Sequence, residues 1–122
     1  MIPARKTRLI TVIESLAARE DAVRINTIKS DGILMKLHEY NTKAFNLPEG
    51  IPNIDLKYVG ETMIAQELRR LYLFVDGAPV MKDSKREQLF LDMVQGLDEE
   101  EGALLWAVKD GTMLSLYPQL QL

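Results

Sequence analysis

Few of the 122 residues have the types that nucleophilic or metal chemistry needs. The chain has no cysteine, which excludes disulfides, thiolate metal sites, iron–sulfur clusters and thiol nucleophiles. Its one histidine, His38, cannot form an imidazole cluster by itself. A triad or a carboxylate pair could still assemble from distant positions, but the chain has no nucleophile elbow. We therefore expect a structural role for His38 and predict that the protein is not an enzyme.

The acidic run at 98–101 is the densest group of candidate metal ligands in the chain. It lacks the alternating ligands and the central glycine of an EF-hand loop. Four carboxylates at the start of a helix complement the positive end of its macrodipole, and this explanation is sufficient. The chain also lacks a Walker loop and a dinucleotide-binding fingerprint. The sequence predicts neither a metal site nor a cofactor.

Two short basic clusters, in ELRRLY and in KDSKRE, have two interpretations. In the first, they join two adjacent antiparallel helices through bidentate ion pairs. Arg69 or Arg70 then pairs with Glu87. Arg86 pairs with Glu67 across the same interface.

In the second interpretation, the basic side chains face one way and bind a phosphate backbone or an acidic protein. Arginine and aromatic side chains dominate binding hot spots, so an aromatic residue in the irregular middle of the chain joins this group. The candidate partner-binding residues are Tyr58, Arg69, Arg70, Lys85 and Arg86.

The net charge of −3 lacks the basic excess of a dedicated nucleic-acid binder, but the charges are unevenly distributed. Residues 1–36 contain seven basic and four acidic side chains, whereas residues 92–122 contain six acidic side chains and one basic one. Arg5, Lys6 and Arg8 are the candidate residues for nucleic-acid binding, which is our alternative hypothesis.

Apolar residues recur at three- and four-residue steps through most of the chain, which indicates amphipathic helices. The pattern predicts a mainly α fold, a single domain over 1–122 built from a compact bundle of about five to six short helices. Asp21, Asp83-Ser84 and Asp98 are predicted to cap helix starts, and Ser30-Asp31-Gly32 to form a turn or a cap. The predicted helices cover 4–19, a segment from Asp21 to about Lys29, 33–42, 61–75, 85–96 and 98–110, with a last turn through 114–117.

The segment 61–75 has the strongest helical pattern. It places one set of apolar side chains on a common face that we expect to point inward. That set consists of Ile64, Leu68, Leu71, Tyr72 and Val75.

Prolines and glycines interrupt the helical pattern over 46–60, which we call the connector. Its aliphatic and aromatic residues predict an ordered segment that lies on the core. Their alternation is compatible with one short strand at 54–59.

No secretory signal fits the N-terminal residues, because the apolar stretch after Arg8 is short and interrupted by Thr11 and Glu14. No uncharged stretch approaches the roughly 18 residues of a membrane span. We expect a soluble, intracellular protein that does not associate with a membrane.

Four short motifs, in this order, resemble an uncharacterised family of small tailed-bacteriophage proteins of the myovirus type, found especially in phages of marine cyanobacteria. They are LPEG (47–50), ELRRLYLFVDG (67–77), KREQLFLDMV (85–94) and ALLWAVKDG (103–111). Relatives tend to continue with Pro-Tyr where this chain has Ile51-Pro52-Asn53, and they usually add a helix after the position of Tyr117-Pro118-Gln119. The resemblance implies a protein of the host cytoplasm or the virion, and it implies no known catalytic residue.

We therefore expect a small non-enzymatic phage protein that binds another protein. The partner would be a host or phage assembly or a neighbouring virion component. Nucleic-acid binding is the alternative, and self-association into a homo-oligomer stays open. A third hypothesis, a hydrolase using His38 or scattered carboxylates, has no motif to support it.

Overall fold

The computed structural model describes residues 7–122, and its regular structure is helical. Within these residues lie seven α-helices and two 3-10 segments, Leu68–Phe74 and Pro118–Leu120. The mainly α prediction is confirmed. The α-helices are α1 (Arg8–Leu16), α2 (Asp21–Ser30), α3 (Gly32–Asn41), α4 (Ile64–Glu67), α5 (Asp83–Gly96), α6 (Glu99–Asp110) and α7 (Met113–Leu116).

The helix predicted over 4–19 ends three residues early, at Leu16. Its predicted residues 4–6 lie outside the described part of the chain. The residues after Leu16, from Ala17 to Glu20, are exposed, so no apolar contact extends the helix.

Aspartates mark several helix starts, but not always as caps. Asp31 accepts hydrogen bonds from two backbone N–H groups at 2.9 and 3.1 Å, and Asp98 accepts one at 2.8 Å, as predicted. Asp21 and Asp83 are instead the first residues of α2 and α5, and the residue before each provides no side-chain cap. In the first turn, both carboxylates still complement the helix macrodipole.

The helix predicted over 61–75 differs most from expectation. It begins at Ile64, makes one α-turn, and continues as the 3-10 segment Leu68–Phe74. A 3-10 helix has three residues per turn, so side chains three positions apart form one row. The prediction that Tyr72 faces inward is therefore wrong, and its side chain is 52% exposed. The buried row consists of Leu68, Leu71 and Phe74.

A cluster of aromatic rings lies within the largely aliphatic core. The ring of Phe90 on α5 makes edge-to-face contacts with Phe74 at 5.0 Å, Trp106 at 5.3 Å and Phe45 at 6.3 Å between centroids. These four residues come from the segment after α3, the 3-10 segment, α5 and α6. Phe90 therefore joins elements that are distant in sequence. In addition, α3 packs against α6.

The C-terminal 3-10 segment packs against α1 and α2. The side-chain amide of Gln119 donates to the carbonyl oxygen of Ile13 at 3.1 Å. The guanidinium of Arg24 donates to the carbonyl oxygen of Gln119 at 2.8 Å and also to that of Gln121. These bonds hold the residues that follow α7 against the first two helices.

His38 on α3 lies beneath this C-terminal segment. Burial lowers the pKa of the imidazole below its usual value of 6.5, and a hydrogen bond to the backbone of Leu120 acts in the opposite direction. The Nε2 atom is buried and has no hydrogen-bond partner among the described residues. The folded protein therefore favours neutral His38.

The neutral histidine makes stability depend on pH. A lowered folded-state pKa means that the unfolded chain binds the proton more readily. The contribution of neutral His38 to the free energy of unfolding should therefore be fully present above about pH 6.5. It should be lost as the pH falls from there through the lower folded-state pKa. Urea denaturation of the wild type and of His38→Gln between pH 7.5 and 5.5 measures this. The free energy of unfolding should depend less steeply on pH in the variant. Equal pH dependence in the two proteins would contradict the assignment of a neutral His38.

Candidate functional site

The connector has no strand. Residues 54–59 are irregular, so the short strand that their alternation allowed does not form. The one β-bridge of the described residues joins Phe45 to Val75 instead. The reason is that the backbone N–H groups near the end of the connector bind a helix end rather than a neighbouring strand.

That helix end is the C-terminus of α5, whose last carbonyl groups lack partners within the helix. Four consecutive backbone N–H groups donate to these carbonyls at 2.8 to 3.2 Å. A Cβ atom on Gly96 would lie 2.9 Å from Oγ1 of Thr62, so the close approach depends on glycine. The donors are Val59, Gly60, Glu61 and Thr62, and the acceptors are Gln95, Gly96 and Leu97.

Tyr58 packs across α6. Its hydroxyl accepts a hydrogen bond from Nε1–H of Trp106 at 3.2 Å. Its ring covers Gly102, where an added Cβ would lie 2.5 Å from Cε1 of Tyr58. The structure thus half-buries this candidate partner-binding residue and uses it to attach the connector to α6.

Lys109 holds the other end of the connector. Its side chain is 2% exposed, and the ammonium donates to the carbonyl oxygens of Pro48 at 2.6 Å and Gly50 at 2.8 Å. The carboxylate of Asp110 lies 2.8 Å from the same ammonium and accepts the N–H of Gly50 at 3.1 Å. Two adjacent charged residues of α6 therefore bind both the carbonyl oxygens and an N–H group of the Pro48–Gly50 turn.

Glu101 is a second buried charged residue, 1% exposed. Its Oε1 accepts the backbone N–H of Ile64 at 2.7 Å, so it caps α4, whose own N-cap residue makes no side-chain bond. The sequence predicts that this carboxylate acts at the start of its own helix, α6, through the macrodipole and a capping box with Asp98. The structure instead directs it to a neighbouring helix, where it satisfies an unpaired donor.

The arginine candidates do not form the predicted ion pairs between helices. Arg70 pairs with Glu67 at 2.9 Å, three residues earlier in the same segment. Arg86 pairs with Asp83 at 2.8 Å, again three residues earlier. Side chains at this spacing are already neighbours on a helix, so local pairing wins over pairing across the interface.

The remaining basic candidates are exposed. Arg69 and Lys85 both lie on the surface, and Arg69 shares the exposed row of the 3-10 segment with Tyr72. Arg8, at the start of α1, is also exposed. Arg5 and Lys6 lie outside the described residues, so nucleic-acid binding through this segment stays a prediction.

Residues 7–122 contain no candidate metal site and no candidate membrane span. No group of three or more histidine, cysteine, aspartate or glutamate side chains could hold a metal ion there. No helix in the same range is long and apolar enough to cross a membrane.

The described residues form a compact, mainly α structure in which buried polar contacts fix the irregular connector. The model of a family described as "Family of unknown function (DUF6433)" matches residues 16–115, and the chain belongs to this family. The matched range includes all four motifs on which the resemblance rested. No curated protein and no solved structure matches the chain significantly.

Sequence reasoning missed the residues that position the connector. Lys109 is the single base among the six acids of residues 92–122, and it follows an apolar run; this was the available signal. Nothing local in the sequence marks Gly102 as the site of a ring contact, because the contacting ring lies on a distant residue. The missed residues are Glu101, Gly102, Trp106, Lys109 and Asp110.

Replacing Lys109 tests the fixed turn. Lys109→Met removes the donor that two carbonyl oxygens share. The free energy of unfolding should therefore fall by about 1.5–3 kcal/mol, the range for a hydrogen bond to a charged group. Urea denaturation measures the loss. Lys57→Met, an exposed lysine of the same connector, is the matched control and should stay within about 0.5 kcal/mol of the wild type. Equal losses in the two variants would refute the structural role of Lys109.

The effect of Gly102→Ala on the free energy of unfolding should change sign when Tyr58 is also replaced. In the wild type, the added Cβ collides with the ring of Tyr58, so we expect destabilisation. In a Tyr58→Ala background, the same substitution should stabilise by about 1 kcal/mol, because alanine is the better helix former. Denaturation of the four proteins, followed by Trp106 fluorescence, measures both effects.

Gly32→Ala on α3 is the control for this cycle, since a Cβ there meets nothing within 4 Å. It should have the same effect in both backgrounds. A Gly102→Ala effect that is also independent of Tyr58 would show that the ring does not constrain this glycine.

Proposed function

We propose that this protein is a non-enzymatic interaction module that binds another protein through its connector. The observation that supports this proposal most directly is a concentration of exposed aliphatic side chains on an anchored loop. Ile51, Ile54 and Val59 are 60%, 56% and 59% exposed. These are three of the ten large hydrophobic residues that are exposed among the described residues, and Met63, three residues after the connector, is a fourth.

The anchoring makes these side chains suitable for binding. Lys109 and Asp110 fix the backbone before Ile51, and the C-terminus of α5 fixes it from Val59 onward. A loop that is already ordered loses little conformational entropy when a partner binds. Exposed apolar side chains on such a loop favour a protein partner, because apolar surface patches commonly mark interaction sites.

The basic candidates have a secondary part in this proposal. Arg70 and Arg86 each already neutralise a carboxylate, so their charges are less available to a partner. Arg69 and Lys85 are exposed and can contribute contacts at the edge of the surface. Tyr58 contributes by holding the connector in place.

The motif resemblance supports a biological setting, and we propose that the protein acts during infection by a tailed phage. Its location would be the host cytoplasm or the virion. Mass spectrometry of purified virions separates these two locations, because a packaged component is recovered in constant proportion to the capsid protein.

Affinity purification with connector variants tests the proposed surface. The triple variant Ile51→Ser, Ile54→Ser, Val59→Ser removes the exposed aliphatic side chains and should keep the fold, because more than half of each is exposed. Tagged protein from infected cells should recover a stoichiometric partner in the wild type. The triple variant should lose at least nine-tenths of that partner.

The matched control is Val23→Ser, Val80→Ser, Leu116→Ser, which removes three exposed aliphatic side chains outside the connector. This control should retain the partner. A photo-crosslinking amino acid at position 54 should join the protein to the same partner, and at position 23 it should not. Equal recovery by both triple variants, or the absence of a stoichiometric partner, would refute the proposal.

A further inference from the structure

A cleft separates the first half of the connector from α5. Its volume is about 280 Å³. Pro48 and Pro52 form one wall, and the exposed face of α5 forms the other. Phe90, Leu91 and Trp106 contribute the apolar floor. The cleft is therefore on the inner side of the same loop that exposes Ile51.

The floor and the wall are held in place before any ligand binds. Phe90 and Trp106 are almost fully buried and contact each other edge to face at 5.3 Å. The Nε1–H of Trp106 is occupied by the hydroxyl of Tyr58. Lys109 binds the carbonyls of the Pro48–Gly50 turn from the opposite side of the wall. The shape of the cleft thus depends on contacts that are already made.

The charges at the rim are negative. Glu49 and Glu87 line the cleft together with the neutral polar residues Ser84 and Gln88, and no lysine or arginine does. Among the described residues, neither glutamate has an ion-pair partner within 4.0 Å. Both carboxylates therefore lie at the opening of an apolar cavity without a compensating cation.

Arg86 lies beside Glu87, and Lys109 lies beside Glu49, but both cations are already bound elsewhere. The guanidinium of Arg86 pairs with Asp83 at 2.8 Å and donates to the carbonyl oxygen of Met81 at 2.9 Å. The ammonium of Lys109 is compensated by Asp110 at 2.8 Å. Neither side chain can neutralise the rim without giving up these contacts.

We propose that the cleft binds one arginine or lysine side chain of the partner protein. Such a side chain has an aliphatic stem that can lie on the Phe90, Leu91 and Trp106 floor, and a cation that can reach the carboxylates at the rim. The volume is slightly below the roughly 300–1,000 Å³ of pockets for small molecules, and it suits one long side chain. This inference rests on the proposed function and specifies the chemistry of the partner.

Trp106 allows a direct test because it is the only tryptophan of the chain. The probes are the capped tripeptides acetyl-Gly-Arg-Gly-amide and acetyl-Gly-Lys-Gly-amide, added to the purified full-length protein. Tryptophan fluorescence and the NMR shift of the Trp106 Nε1–H should respond saturably to both. The affinity should fall as the salt concentration rises, because salt screens the attraction between the peptide cation and the carboxylates at the rim.

Neutral probes of similar shape decide whether charge matters. The peptides with citrulline or norleucine in the central position should bind at least ten-fold more weakly. Equal binding of norleucine would show that the cleft is an apolar site only, and the absence of any saturable response to the arginine peptide would also overturn the proposal.

Substitutions at the rim identify the cleft as the binding site. Glu87→Gln and Glu49→Gln keep the size of each side chain. Each should lower the affinity for the arginine peptide about three- to ten-fold. Glu20→Gln, which removes an exposed carboxylate before α2, is the matched control and should not change the affinity. Unchanged binding in both rim variants would overturn the assignment.

The two proposals can fail separately. Peptide titration needs no partner protein. If the connector variant loses the partner but the wild type binds no peptide, only the proposal for the cleft is refuted. Peptide binding together with partner capture that does not depend on the connector refutes the proposed contact surface. In that case the cleft no longer identifies the partner.

Discussion

The buried ammonium group of Lys109 fixes the irregular part of this protein to its helical part. Taking a charge out of water costs several kcal/mol unless other groups replace its hydration. Here the carbonyl oxygens of Pro48 and Gly50 and the carboxylate of Asp110 replace it, at 2.6 to 2.8 Å. The helix can bury this charge only while the turn stays in contact. The cleft, whose wall is that turn, depends on the same contact.

The ends of helices explain how the rest of the connector is attached. The last carbonyls of α5 and the first N–H groups of α4 lack partners within their helices. The end of the connector and the two residues after it supply donors to α5, and Glu101 supplies an acceptor to α4 at 2.7 Å. Irregular backbone and helix ends thus satisfy each other's hydrogen bonds. This arrangement keeps a segment without regular structure in one conformation and leaves its aliphatic side chains exposed.

Most helices could be predicted from the sequence because their signals are local. The aspartate caps at Asp31 and Asp98 act within three residues, and apolar spacing acts within one or two helical turns. The error at Tyr72 has a similarly specific cause. An α-helix and a 3-10 helix both bury Leu68 and Leu71, but they place the next residues differently. The sequence pattern alone did not distinguish three residues per turn from 3.6.

The candidate site could be predicted only in part. The sequence by itself determined that the chain is mainly helical, that it lacks cysteine chemistry, and that 46–60 is an ordered interruption. Only the tertiary structure decided which distant group each polar side chain meets. Lys109 and Pro48 are 61 residues apart, and Glu101 and Ile64 are 37 apart. The physical reason is that a buried charge takes the oxygens or N–H groups that packing brings within about 3 Å, and packing at that range is set by the whole fold.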